Sequence, residues 1–221
     1  MAGSTGPNIV KNKLVMYLDP NNTKSYISGS NYFYDLTSSD MDFTIQNSPL
    51  YIDGSLKYDG INNVVDRLIS PSTNLDVGTD GAFSFGGWVK TESSTSYRWL
   101  ILGAFSWTFN IQSNIITIRY ISRNVINFNV TYTHDVWVNW FAVVDKPNNT
   151  IILYKNGEQI DISNSATATG AIGTGNSSIG EFSNSTNKFK GTIGPVYYYA
   201  KALTAAEIQQ NYNAQKSRFG L

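Results

Sequence analysis

Hydrolysis of a glycosidic bond by a retaining enzyme needs two carboxyl groups about 5–5.5 Å apart, one as nucleophile and one as acid. The chain offers four glutamates, Glu92, Glu158, Glu181 and Glu207, widely spaced along its length. Two of them are poor candidates. Glu158-Gln-Ile-Asp161 has no third acid at a useful spacing, and Glu207 stands three residues after Thr204, the pattern of a helix capping box. His134 is the only histidine and there is no cysteine, so neither a catalytic triad nor a His- or thiolate-based metal site can be assembled. No Gly-rich phosphate loop is present, since Gly173-Thr174-Gly175 lacks a following lysine. Asp40/Asp42 and Asp76/Asp80 are the local acid pairs that could serve calcium, which asks for six to eight oxygens. They read as solvated loop acids, so no cofactor is expected. The expectation is a protein that is not an enzyme.

Binding chemistry fares better. Flat aromatic faces match the C–H face of a sugar while neighbouring polar groups take its hydroxyls. Tyr97, Trp107, Arg119 and Tyr120 form the richest stretch of that kind, with core packing as the competing reading for Trp99 and Trp107. In Tyr197-Tyr198-Tyr199 successive side chains alternate faces, so at least one is expected on the outer surface. There it either makes a protein–protein contact or covers the terminal helix.

Composition narrows the partners. The 221 residues carry 16 basic and 16 acidic side chains, a net charge of zero that does not suit nucleic acid. No apolar run approaches the roughly 20 residues of a membrane span, and the start of the chain lacks the pattern of a secretory leader. Five Asn-x-Ser/Thr triplets read as chance matches in an Asn-rich chain.

The elements that must position these residues are strands. In Trp137-Val-Asn-Trp-Phe-Ala-Val-Val144, Val138, Trp140, Ala142 and Val144 share one face, and Trp137, Phe141 and Val143 the other. That is a central strand covered on both sides. Asp145–Asn149 turns the chain, Thr150–Tyr154 returns, and Asn156-Gly157 marks a type I′ hairpin into Glu158–Ile162. Leu14–Leu18, Phe43–Ile45, Gly54–Asp59 (completed by 62–65), Ala82–Lys90 with a bulge at Gly86-Gly87, four runs between Trp99 and Val130, Ser177–Gly180 and Gly191–Tyr199 complete the set. The spacing of about ten residues is that of a sandwich or barrel. Thr204 as N-cap, Glu207 at N3 and a Leu203/Ile208 staple predict one helix over 205–215, with KSRFGL as a tail. Residues 1–12 read as a flexible arm and 13–221 as one domain.

In this order, LVMYLDPNNTKSY (14–26), GSLKYDGINNVV (54–65), FSFGGWVK (83–90), WVNWFAVVDKPNNTIILYKNGEQI (137–160), SSIGEF (177–182) and FKGTIGPVYYYAKALTAAEIQQNYNAQKSRFGL (189–221) resemble the laminin-G-like, concanavalin A-like family. The resemblance is to the variety common in bacteriophage structural proteins, most clearly in the closing element. It implies an all-β, two-sheet antiparallel jelly-roll sandwich with one short C-terminal α-helix. It further implies a virion component, made in the host cytoplasm, such as a head decoration or a fibre- or tail-associated subunit. Its expected neighbours are capsid or tail proteins, further copies of itself and host-surface glycans. Tyr198, Arg218 and Phe219 are then the candidate protein–protein contacts. The alternative is a carbohydrate-binding lectin module. Glucanases of this fold carry Glu-x-Asp-x-x-Glu on one strand, which this chain lacks. Thr37–Asp42 replaces the family's Gly/Asn-rich loop, and Val138-Asn139 its histidine after the central tryptophan. Fold alone does not assign function.

Overall fold

A computed structural model describes residues 8–61, 64–69, 81–92, 97–102, 107–112, 114–120, 124–164, 175–180 and 189–221. Its strands are β1 (Leu14–Leu18), β2 (Tyr32–Phe33), β3 (Phe43–Gln46), β4 (Leu50–Ile52), β5 (Ser55–Asp59), β6 (Val64–Ile69), β7 (Phe83–Thr91) and β8 (Tyr97–Leu102). They continue with β9 (Trp107–Gln112), β10 (Ile115–Tyr120), β11 (Asn124–Asn129), β12 (Val138–Asp145), β13 (Thr150–Lys155), β14 (Glu158–Ser163), β15 (Gly175–Ile179) and β16 (Lys190–Tyr199). Helix α1 (Ala205–Gln215) and a 3₁₀ turn (Lys216–Phe219) follow.

All pairing among these strands is antiparallel. One sheet runs β14-β13-β12-β7-β16-β5-β4, with β1 also paired to β16; the other runs β11-β10-β9-β8-β15-β6-β3-β2. The two sheets face each other across one core as a jelly-roll sandwich. The expected central strand is β12, with Val138, Trp140, Ala142 and Val144 in the inter-sheet core and Phe141 and Val143 on the opposite face. The β13–β14 hairpin turns through Asn156 (φ 53°) and Gly157 (φ 83°), the positive pair that a type I′ turn requires. At Asp59-Gly60 (φ 76°) the chain leaves one sheet for the other. Val64-Val65 therefore begins β6 instead of completing β5 as expected.

The bulge lies beside the glycine pair, opposite Val89–Gly87, but the extra residue is on the facing strand. Pairing of Gly86 and Gly87 with Phe141 and Trp140 is continuous; the slip lies on β16, between Ile193 and Val196. Pro195 explains it, because a residue without an N–H cannot serve a central ladder and is tolerated at a bulge. The glycines are there for closeness: a Cβ on Gly86 would collide with the carbonyl oxygen of Trp140.

A second apolar cluster covers the outer face of the β12-β7-β16 sheet, formed by Val10, Trp88, Phe141, Val143, Tyr154, Tyr197, Tyr199, Leu203 and Ile208. Helix α1 is held there by the expected capping box: Glu207 N–H donates to Thr204 Oγ1 and Thr204 N–H to Glu207 Oε2. Its buried face also carries Asn211 and Gln215. Asn211 Oδ1 accepts from Val10 N–H at 2.8 Å, Tyr199 O–H donates to the Val10 carbonyl at 3.0 Å, and Gln210 holds the Asn8 carbonyl. Residues 8–12 of the expected flexible arm are thus a strap bonded to the helix.

The expected tail is likewise part of the fold. Phe219 stacks on Trp88 at 4.2 Å, and Arg218 pairs with Asp19 at 2.7 Å while donating to the Gly54 carbonyl. Tyr17 O–H donates to Asp19 and accepts from Gln215, which in turn accepts from Tyr197. Burial, and then the Asp19 carboxylate, push the Tyr17 hydroxyl far up. Burial does the same for Tyr58, Tyr197 and Tyr199.

A group whose folded pKa is raised contributes stability that is complete below its unfolded value, here 10.0, and lost above it. Stability should therefore hold level to about pH 10 and fall steeply beyond. Tyrosinate absorbance should rise first from exposed tyrosines, then in a second step together with loss of the β-sheet circular dichroism signal. A single smooth titration with the fold intact would refute this. Gly86→Ala should cost at least about 2 kcal/mol in urea unfolding, because the backbone it meets cannot move aside.

Candidate functional site

The residues singled out for sugar stacking do not form one surface. Trp107 is 1% exposed and lies edge-on to Phe83 at 4.7 Å, inside the core. Arg119 is half-buried and pairs across to Thr108, so it projects from the opposite face of the sheet to Trp107. Tyr97 and Tyr120 fall at the ends of β8 and β10, and their side chains lie outside the described residues, as does that of Trp99. Trp107 cannot be a platform.

The tyrosine triplet is buried throughout: Tyr198 at 0% in the inter-sheet core, Tyr197 and Tyr199 under the helix. The contact proposed through Tyr198 is thereby corrected, and the alternative of covering the helix is the one observed for its two neighbours. Arg218 and Phe219, both half-buried, are spent on Asp19 and Trp88. His134 Nδ1 lies 3.0 Å from Thr91 Oγ1, which donates to Tyr132 O–H, so it anchors the entry to β12. Among the described residues no group of three metal-ligating side chains occurs, and Asp76/Asp80 lie outside them.

What the fold does assemble is a cleft of about 450 Å³ on the outer face of the helix-bearing sheet. Its floor is Lys57 from β5, Lys90 and Glu92 at the end of β7, and Thr192 from β16. Trp137 with Asp135, Ile52 with Asp53, and the docked Arg218 and Phe219 complete the lining. Trp137 is half-buried, tilted against Phe219 at 4.6 Å, with Lys90 Nζ 5.5 Å from its ring centroid. Lys57, at 2.9 Å, together with Lys190 holds the Glu92 carboxyl below its usual range despite partial burial.

Two carboxylates in this cleft are uncommitted. Asp53 and Asp135 are exposed, and neither side chain has a hydrogen bond or ion pair among the described residues. Both sit at positive φ, 47° and 62°, where short polar side chains are best tolerated. Asp53-Gly54 is the turn of the β4–β5 hairpin, a dipeptide visible in the sequence but passed over there. Alternation groups Trp137 with Phe141 and Val143 on one face; that a ligand-sized hollow lies beside it depends on the docked C-terminus. The lining balances three cations against three anions around one indole ring. Such a surface suits a neutral, hydroxyl-rich ligand better than a highly charged one.

Residues 62–209 match the family model of the concanavalin A-like lectin/glucanases superfamily. No curated protein matches in sequence. In structure the chain is similar to the binding domain of botulinum neurotoxin serotype G, with 16% identity and a TM-score of 0.73, over 92% of this chain and 51% of that one. It is also similar to the binding domain of Paraclostridial Mosquitocidal Protein 1, with 15% identity and a TM-score of 0.70, over 91% and 52%. A third likeness is to Trypanosoma rangeli sialidase, solved in complex with sialic acid, with 12% identity and a TM-score of 0.71, over 97% and 36%. The chain thus spans about half the length of the two toxin domains and about a third of the sialidase. At these identities the likeness is one of fold. With the family model covering two thirds of its length, the chain belongs to the concanavalin A-like lectin/glucanases superfamily.

Proposed function

We propose that this chain is a non-catalytic binding module that holds a saccharide in the Trp137 cleft. The observation that carries the reading is the pairing of one accessible indole with two uncommitted carboxylates in a hollow of ligand size. The ring offers an apolar face, Asp53 and Asp135 accept from hydroxyls, and Lys90 donates. Of the glutamates, Glu92 is tied to two lysines and Glu207 to the helix cap and Lys201, so Asp53 and Asp135 are the acids left in the cleft, and we assign them to binding hydroxyls. On a glycan array Trp137→Ala and Asp53→Asn should each weaken binding roughly tenfold, the usual cost of losing a central aromatic or a hydrogen-bonding anchor. Trp107→Ala should instead lower the melting temperature. No glycan bound by the wild-type chain, or equal binding by Trp137→Ala, would sink the reading.

The place of action we infer is a virion surface, with capsid or tail proteins and further copies of the chain as neighbours. Its support is the closing segment, 189–221, which resembles the ends of phage structural proteins. Ile160 and Ile162 on edge strand β14, 40% and 44% exposed, supply apolar area for such contacts. Mass spectrometry of purified particles should find the chain in amounts stoichiometric with other structural proteins; its absence would rule this out.

A further inference from the structure

The outer face of β9, β10 and β11 lies on the other sheet from the cleft and carries an arrangement that packing does not explain. Thr108, Asn110, Thr117, Arg119 and Asn127 share it: Arg119 stands opposite Thr108, and Thr117 between Asn110 and Asn127. Thr117 O–H donates to Asn127 at 2.7 Å. Three of the other polar atoms are left over. Thr108 Oγ1, Asn110 Oδ1 and Arg119 Nε are buried and have no hydrogen-bond partner among the described residues. Thr108 is 3% exposed. A folded chain pairs nearly all such atoms, because each orphan forfeits the hydration it had in the unfolded state. Other orphans, such as Trp140 Nε1 and Tyr58 O–H, are enclosed in the core, whereas these three lie together on an outer face, where partners can come from outside.

The chemistry of those partners follows from the side chains. These three strands contain one base, Arg119, and no acid. Arg119 has no carboxylate partner among the described residues, and a guanidinium is matched by a planar or tetrahedral oxyanion. Beside it a hydroxyl and an amide oxygen await donors and acceptors of the size of sugar hydroxyls. A polyanion such as nucleic acid would want a row of cations; β9, β10 and β11 supply one, with Arg98 of β8 in register with Asn110.

We propose that the Arg119 face is a second binding site, distinct from the Trp137 cleft, for a saccharide bearing an acidic group. The oxyanion pairs with the Arg119 guanidinium, while ring hydroxyls satisfy Thr108 Oγ1 and Asn110 Oδ1. A site of this kind trades stability for recognition. Without ligand the orphan atoms are a burden on the fold, and Thr108→Val, which keeps the shape and removes the hydroxyl, relieves it.

Titration calorimetry with tetragalacturonic acid, a sulfated dextran and unmodified dextran tests this on the full chain. The two acidic probes distinguish a carboxylate from a sulfate as the recognised oxyanion. At least one should bind to Trp137→Ala as it does to wild type, whereas any binding of dextran should belong to the cleft and be lost in Trp137→Ala. Arg119→Gln should weaken that binding roughly tenfold or more, as expected for loss of a charge-assisted anchor, and Trp137→Ala should leave it unchanged. Thr108→Val should weaken it too while raising the melting temperature of the free protein by roughly 2–4 °C. The proposal is overturned if neither acidic probe binds, if Arg119→Gln binds as wild type, or if duplex DNA binds more tightly than either saccharide. It is equally overturned if Thr108→Val lowers the melting temperature, since the hydroxyl would then be serving the fold through bound water. Loss of acidic-probe binding in Trp137→Ala would place that binding in the cleft and overturn the second site, leaving the cleft reading intact.

Discussion

The ion pair between Asp19 and Arg218 joins the two ends of the described chain, and much of the remaining architecture leans on it. Asp19 is 7% exposed and takes Arg218, Tyr17 O–H and the Asn21 N–H on its two oxygens. A buried carboxylate stripped of such partners is costly, so the pair is held more by the penalty for breaking it than by net attraction. With Arg218 in place Phe219 lies on Trp88, and the outer face of the central strands is sealed from water. The same side chains then line the cleft. Stability and the ligand-sized hollow therefore have one cause.

Covering the sheet on both faces also explains the unusual number of buried aromatics on β7 and β16. Phe83 and Phe85 face the sandwich core, while Trp88 faces the clasp formed by the strap, helix α1 and the 3₁₀ turn. Tyr198 faces the core and Tyr197 and Tyr199 the clasp. A sheet with one solvated face would have to present those rings to water. The strap at residues 8–12, the helix and the 3₁₀ turn together remove that exposure, each anchored by a polar side chain the pure hydrophobic pattern does not reveal: Asn211, Gln215 and Arg218.

This is where legibility in the sequence ends. Period-two alternation placed both faces of β12 correctly, Asn156-Gly157 set the hairpin, and Thr204 with Glu207 set the helix start, because each signal is local. The bulge could not be located by glycine alone, since the glycines at 86–87 serve close approach and Pro195 on the neighbouring strand forces the slip. The ends of the chain were misjudged for a similar reason. Small polar residues suggest looseness, but Val10 and Phe219 are fixed by partners about two hundred and about one hundred and thirty positions away. Trp107 was misplaced because a strand's period tells which residues share a face and not which face is inside. Trp137, Asp53 and Asp135 converge only in three dimensions, from a strand entry and a hairpin turn far apart in sequence.

The account stands on the claim that the closing segment is structural and builds the cleft. A double-mutant cycle of Asp19→Asn and Arg218→Met, followed by urea unfolding, measures it directly. The account predicts a coupling of about 1–3 kcal/mol, with either single variant nearly as unstable as the double. Coupling indistinguishable from zero, with Arg218→Met as stable as wild type, would contradict it.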